Sequence, residues 1–138
     1  MPNMPNMPNI MNPFLRNVLM LDGAASGATG LLLIAGAGPL EALLGLPAAL
    51  MAEAGLILLP YAACVVLVGR RERIAQGAVW AIIAANTLWA VASVGLLVSG
   101  LVAPTALGYA FVIAQAAAVA LLGELQYAGL RRPAATLS

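Results

Sequence analysis

The pentapeptide Gly69-Arg70-Arg71-Glu72-Arg73 separates two apolar runs, Leu46 to Val68 and Ile74 to Leu97. Clustered guanidinium groups cannot rest in hydrocarbon, whereas each flanking run reaches the ~20 mostly apolar residues that a membrane-crossing helix needs. The pentapeptide therefore reads as a turn on one face of a bilayer. Working outward, two more spans are expected, over about residues 14–37 and 104–125, beside those over 46–68 and 74–97. Gly36, Gly38 and Pro39 close the first span, Pro47 opens the second where proline costs little, and Ser99, Gly100 and Pro104 mark the last turn.

The remaining basic residues obey the same sidedness. Arg16 lies at the start of the first span, and Arg131 and Arg132 follow the fourth. The first and third connections carry no arginine. Basic loops stay cytoplasmic, so Arg16, Arg70, Arg71, Arg73, Arg131 and Arg132 set both termini inside. The expected fold is all-α: a polytopic protein of four antiparallel transmembrane helices, N-in and C-in, multi-pass in a bacterial inner membrane. Residues 1–13 form an irregular tail with three Met-Pro-Asn copies, 14–132 a single transmembrane domain, and 133–138 a second tail. The prolines of the first tail deny it a helix, and it lacks the positive start and apolar core of a signal peptide.

Composition agrees. Hydrophobic residues make up 63% of the 138 and charged residues 8%, where a soluble domain carries roughly a quarter. The continuous runs are about twice the length of a barrel strand and do not alternate. A net charge of +1 argues against nucleic acid as a partner. The absence of histidine removes the commonest general base, metal ligand and haem ligand. With no nucleotide-binding fingerprint and no nucleophile elbow, no catalytic residue, metal or cofactor is expected, and the chain reads as a non-enzyme. Cys64, the sole cysteine, reads as a small buried apolar residue.

Small residues let membrane helices approach. Gly23, Gly27 and Gly30 line the first span, and Ala114, Ala116, Ala117, Ala118 and Ala120 the fourth. Either surface can close the bundle or join copies of it. Pro60 removes a backbone hydrogen bond inside the second span and is expected to kink it. Trp80 and Tyr127 pair near the cytoplasmic face, while Trp89 lies deeper.

A charge at the bilayer centre costs at least ~2.5–3.5 kcal/mol on insertion scales, so the in-membrane polar residues are the candidate sites. Asp22 and Glu124 share a cytoplasmic depth with Arg16, Arg131 and Arg132, which predicts carboxylate–arginine pairing or a cytoplasmic ion site. Glu53 lies toward the outer side with no arginine in reach. Either it snorkels to the interface or it serves a proton-coupled carrier. Asn86 and Gln115 fall near midplane on sequential helices and are expected to meet, as glue or as a polar pocket that Trp89 and Ser93 extend. Asp22, Ser26 and Thr29 form a polar stripe on the first helix.

The stretches Asn12-Pro13-Phe14-Leu15-Arg16, Asp22 to Gly30, Trp80 to Trp89 and Glu124-Leu125-Gln126-Tyr127 resemble small four-helix bacterial inner-membrane proteins of unknown function. That resemblance implies the fold and no activity. Length and helix number are also similar to those of DoxX-like membrane proteins and small multidrug transporters. The transporters place a glutamate in their first helix, where this chain has Asp22.

Three functions follow as expectations. The first is a packing role in the lipid bilayer, as a homo-oligomer or an accessory subunit of a larger membrane complex. The second is a small carrier or channel using Glu53. The third is a lipid-, quinone- or pigment-binding protein with a groove near Asn86, Trp89 and Gln115.

Overall fold

The computed structural model describes residues 9–131, with side chains from Met11 onward. Its helices are α1 (Pro13–Ala35), α2 (Ala37–Leu44), α3 (Ala48–Arg70), α4 (Gln76–Ser99) and α5 (Ala106–Arg131). All but α2 are long and apolar enough to cross a membrane. The chain is thus an all-α, multi-pass membrane protein. Most spans begin or end a few residues beyond the sequence boundaries, and α5 runs past residue 125 to Arg131.

Local chemistry sets these ends. Asn12 caps α1, its Oδ1 accepting from the Leu15 amide at 3.0 Å, and Pro13 occupies the first turn, where its missing N–H is no loss. Gly38 and Pro39, expected to close the first span, lie instead inside a further short helix, α2, which begins directly after α1. Gly45 ends it at φ 73°, and its N–H donates to the Glu41 carbonyl. A Cβ there would lie 2.8 Å from the Thr105 amide nitrogen, so glycine is required twice over. Thr105 joins that corner to α5: its amide donates to the Leu44 carbonyl and its hydroxyl to the Leu43 carbonyl.

The tail is only partly as expected. Residues 1–8 lie outside the described residues. Strand β1 (Asn9–Ile10) pairs antiparallel with β2 (Ile74–Ala75), which precedes α4. Asn12 Nδ2 reaches the Gly129 carbonyl near the end of α5 at 2.8 Å. Arg16 donates to the carbonyls of Gly69, Arg71 and Glu72. One end of the bundle is therefore stitched together by polar contacts that involve every long helix or its flank.

The glycines of α1 are spent inside the molecule. A Cβ on Gly23 would collide with Val66, one on Gly27 would touch Ala62, and one on Gly30 would meet the Gly55 carbonyl. As α1 runs forward from Leu19 to Ile34, its partners on α3 run backward from Gly69 to Gly55. Helices α4 and α5 form a second close pair, while α3 and α4 barely touch. The bundle is thus two tight pairs that meet chiefly through α1 and α5, with a gap on the α3–α4 side.

Two apolar clusters fill it. One holds Leu15, Leu19, Val65, Ile74, Val79 and Ile82, and the other Leu33, Leu44, Leu46, Met51, Leu58 and Val112. The outward faces are apolar too, with Leu31, Leu56, Leu67, Leu88 and Val91 exposed, as lipid contact requires. Cys64 is also exposed, which corrects the expectation of a buried thiol: residue 64 faces away from α1, whose contacts on α3 fall at Ala62 and Val66. Pro60 sits exposed within an uninterrupted α3. Trp80 meets Tyr127 edge-on, with ring centroids 5.7 Å apart, and Arg131 stacks over Tyr127 and donates to its hydroxyl.

The close α1–α3 approach makes a clear expectation. Gly55→Val places branched carbon where the Gly30 carbonyl stands 2.6 Å from a built Cβ, and should cost about 1–3 kcal/mol in thermal or denaturant unfolding in detergent. Gly77→Ala and Gly95→Ala, which meet nothing within 4 Å inside α4, should keep or slightly raise stability.

Candidate functional site

Two polar constellations occupy the bundle, one buried and one open. The buried one is built around Asp22, which is 1% exposed on α1. Ser26, one turn further along the same helix, donates to Asp22 Oδ1 at 3.0 Å. The other oxygen, Oδ2, accepts from Gln126 Nε2 of α5 at 2.7 Å and from Asn86 Nδ2 of α4 at 3.1 Å. The Tyr61 hydroxyl of α3 lies 2.8 Å from that same oxygen and 2.9 Å from Asn86 Oδ1. Having one hydrogen, it serves one of these acceptors at a time. Asn86 spends its second amide hydrogen on Gln126 Oε1 at 2.9 Å. Every membrane-length helix thus supplies a side chain to one point.

This arrangement corrects the pairing expected for Asp22. Among the described residues, no arginine touches it. The partners are neutral donors, because Arg16 turns to backbone carbonyls and Arg131 to Tyr127. Glu124 is exposed on α5 and takes no part in the centre. Arg132 lies outside the described residues. Arg70, Arg71 and Arg73 are exposed around the α3–β2 turn.

Asn86 and Gln115 do not meet, which is a second correction. The two lie on a close helix pair but engage different neighbours: Asn86 the Asp22 centre, and Gln115 a separate set. Gln115 Oε1 accepts from Trp89 Nε1 at 2.9 Å, and its Nε2 donates to Ser93 Oγ at 3.0 Å and to the Val112 carbonyl at 2.9 Å. Ser93 donates in turn to the Trp89 carbonyl.

That second set lines a cleft of about 350 Å³ where α3 and α4 diverge. Apolar side chains from α1, α3, α4 and α5 dominate its walls, including Leu33, Met51, Ile57, Leu96 and Phe111. Thr29 and Glu53 join Trp89, Ser93 and Gln115 as its polar lining. Glu53 is exposed on its helix. The sequence reading placed Trp89, Ser93 and Gln115 near a groove, and the structure gathers them in one with Glu53. It places Asn86 one helical turn from Trp89, in the buried centre instead.

Reasoning from sequence missed Tyr61 and Gln126 as members of that centre. A signal existed for Tyr61. Counted inward from the arginine-bearing ends of their helices at 1.5 Å per residue, Asp22, Tyr61 and Asn86 fall within about one helical turn of a common depth. Comparison with protein-family models, with characterised proteins and with solved structures finds no match. Among the described residues, no group of three or more Cys, Asp or Glu side chains is placed to hold a metal ion.

Removing the Asp22 carboxyl strands donors from three other helices. Each buried donor left unpaired costs about 1–3 kcal/mol. Asp22→Ala should therefore sharply destabilise the bundle in detergent unfolding. Tyr61→Phe removes a single hydroxyl and should cost about 1 kcal/mol or less. Equal stability of Asp22→Ala and the parent would show that the centre contributes nothing.

Proposed function

We propose that this protein is a four-span membrane protein with both termini cytoplasmic that binds a hydrophobic small molecule in the α3–α4 cleft. The observation that carries this reading is the cleft itself: apolar walls, a volume of about 350 Å³ and a few converging polar groups. Binding sites for small molecules have that composition and a size of roughly 300–1,000 Å³. Its position between two separately packed helix pairs gives a ligand a lateral entrance from the bilayer, because α3 and α4 do not close against each other.

The arrangement favours this reading over a purely packing role. The glycines that suggested an oligomeric interface are occupied by α3 within one chain. Small residues also remain exposed on outer faces, among them Ala24 and Ala28 on α1, Ala84 and Gly95 on α4 and Ala117 on α5, so the preference rests on the cleft and not on a lack of packing surface. A carrier reading centred on Glu53 alone has less support. The buried carboxyl is Asp22, and Glu53 lies in the cleft wall.

Orientation rests on the arginines. They cluster at the end of the bundle where β1 and β2 pair, and the loops at the other end have none. In a Cys64→Ala background, a cysteine at Arg71 should resist a membrane-impermeant maleimide applied outside intact cells, and one at Ser99 should react. The opposite pattern would invert the topology.

Ligand binding is tested through Trp89. In Trp80→Phe protein within nanodiscs, Trp89 is the single tryptophan. Single-chain amphiphiles brominated in the tail should quench it saturably. Ala92→Phe, which adds a ring at an exposed position of the cleft lining, should abolish saturation. Quenching that is linear in both proteins would reject the cleft as a binding site.

A further inference from the structure

The hydrogen-bond inventory of the cleft selects among ligands. Each polar hydrogen on the Trp89–Gln115–Ser93 set is already committed. The indole N–H goes to Gln115 Oε1, both amide hydrogens of Gln115 go to Ser93 Oγ and the Val112 carbonyl, and the Ser93 hydroxyl goes to the Trp89 carbonyl. What remains for a ligand is acceptor capacity: a second lone pair on Gln115 Oε1 and one on Ser93 Oγ. Thr29 adds one hydroxyl from α1. Glu53 adds a carboxyl group, the single ionisable side chain in the lining. Among the described residues, no arginine borders the cleft.

A ligand whose headgroup only accepts finds almost nothing to pair with here. A quinone carbonyl or a carboxylate would sit desolvated beside groups that also accept, which is the costly case. A fatty acid would in addition bring a second carboxyl group to Glu53. A headgroup that donates several hydrogen bonds and carries positive charge meets both the spare lone pairs and the carboxyl.

Resting on the cleft as a binding site, we propose that its ligand is a single-chain amphiphile with a primary-amine headgroup, the amine held by Glu53 and the free acceptors of Gln115 and Ser93. The apolar tail lies against Leu33, Ile57 and Phe111, and extends toward the lipid through the α3–α4 gap. The charge-assisted contact supplies discrimination, and the apolar walls supply affinity that is blind to the headgroup.

The Trp89 quenching assay, in zwitterionic nanodiscs, separates this proposal from the reading beneath it. The probes are a long-chain alkylamine, the alcohol and the fatty acid of the same chain length, and a quinone, each brominated. The amine should half-saturate at a concentration about tenfold below the fatty acid and the quinone, with the alcohol between. Glu53→Gln should weaken the amine about tenfold and the alcohol much less, since a neutral hydroxyl loses no charge-assisted contact. Glu53 is exposed and unneeded for packing, so this variant folds as the parent does. Saturable binding in which the acid or quinone equals the amine, or in which Glu53→Gln leaves the amine unaffected, overturns the headgroup assignment and leaves the cleft intact. Absence of saturable binding by any of the four removes the cleft reading itself.

Discussion

A carboxyl group that is 1% exposed at the heart of a membrane bundle must be met by donors from the protein, because hydrocarbon offers none. Asp22 has one local donor, Ser26, and needs the rest from elsewhere. Its neighbours supply them from α3, α4 and α5. No arginine is used, so the interaction fixes geometry through directional contacts to a few atoms. The apolar clusters on either side are less demanding: leucine against valine tolerates rotation, whereas an amide must present its N–H to a defined oxygen. The bundle's register therefore depends on the polar centre more than on the larger apolar surface.

That constraint also explains the cleft. Helices α1 and α3 approach through Gly23, Gly30 and Gly55, and α4 lies close along α5. The two pairs are drawn together where Asn86 and Gln126 reach Asp22. One turn further along α4, at Trp89, nothing of the kind holds α4 to α3, and the space between them opens. Convergence at one depth and separation at the next are consequences of the same few side chains.

The sequence revealed the helices because membrane insertion imposes long apolar runs, and glycine and proline mark their ends. It revealed Asp22, Asn86 and Gln115 as candidates because polar atoms in such runs stand out. Pairing was harder to read. Asp22 and Gln126 are 104 residues apart in the chain, and nothing in either neighbourhood names the other. Gln126 escaped as a member of the centre because a span that ends at Leu125 leaves it outside, whereas the helix continues to Arg131. Tyr61 escaped because a tyrosine in a membrane helix suggests the interface, and its depth becomes informative only once the helix is known to end at Arg70. Asn86 and Gln115 illustrate the remaining difficulty: similar depth on adjacent helices does not decide rotation, and rotation turned them to different neighbours. The Asn9–Ile10 strand was illegible for another reason, since two residues of pairing carry no periodicity.

The order of donors along the chain has a consequence for biosynthesis. Asp22 and Ser26 leave the ribosome first, Tyr61 next, then Asn86, and Gln126 last. At each earlier stage the carboxyl group is short of partners and the nascent bundle has an incentive to remain open to water or to a chaperone. Arrival of Gln126 closes the account at Oδ2 and occupies Asn86's second hydrogen at the same moment. The last of these side chains to be made thus completes the partner set of the first, and a chain that stops before residue 126 leaves the carboxyl group short of its α5 donor.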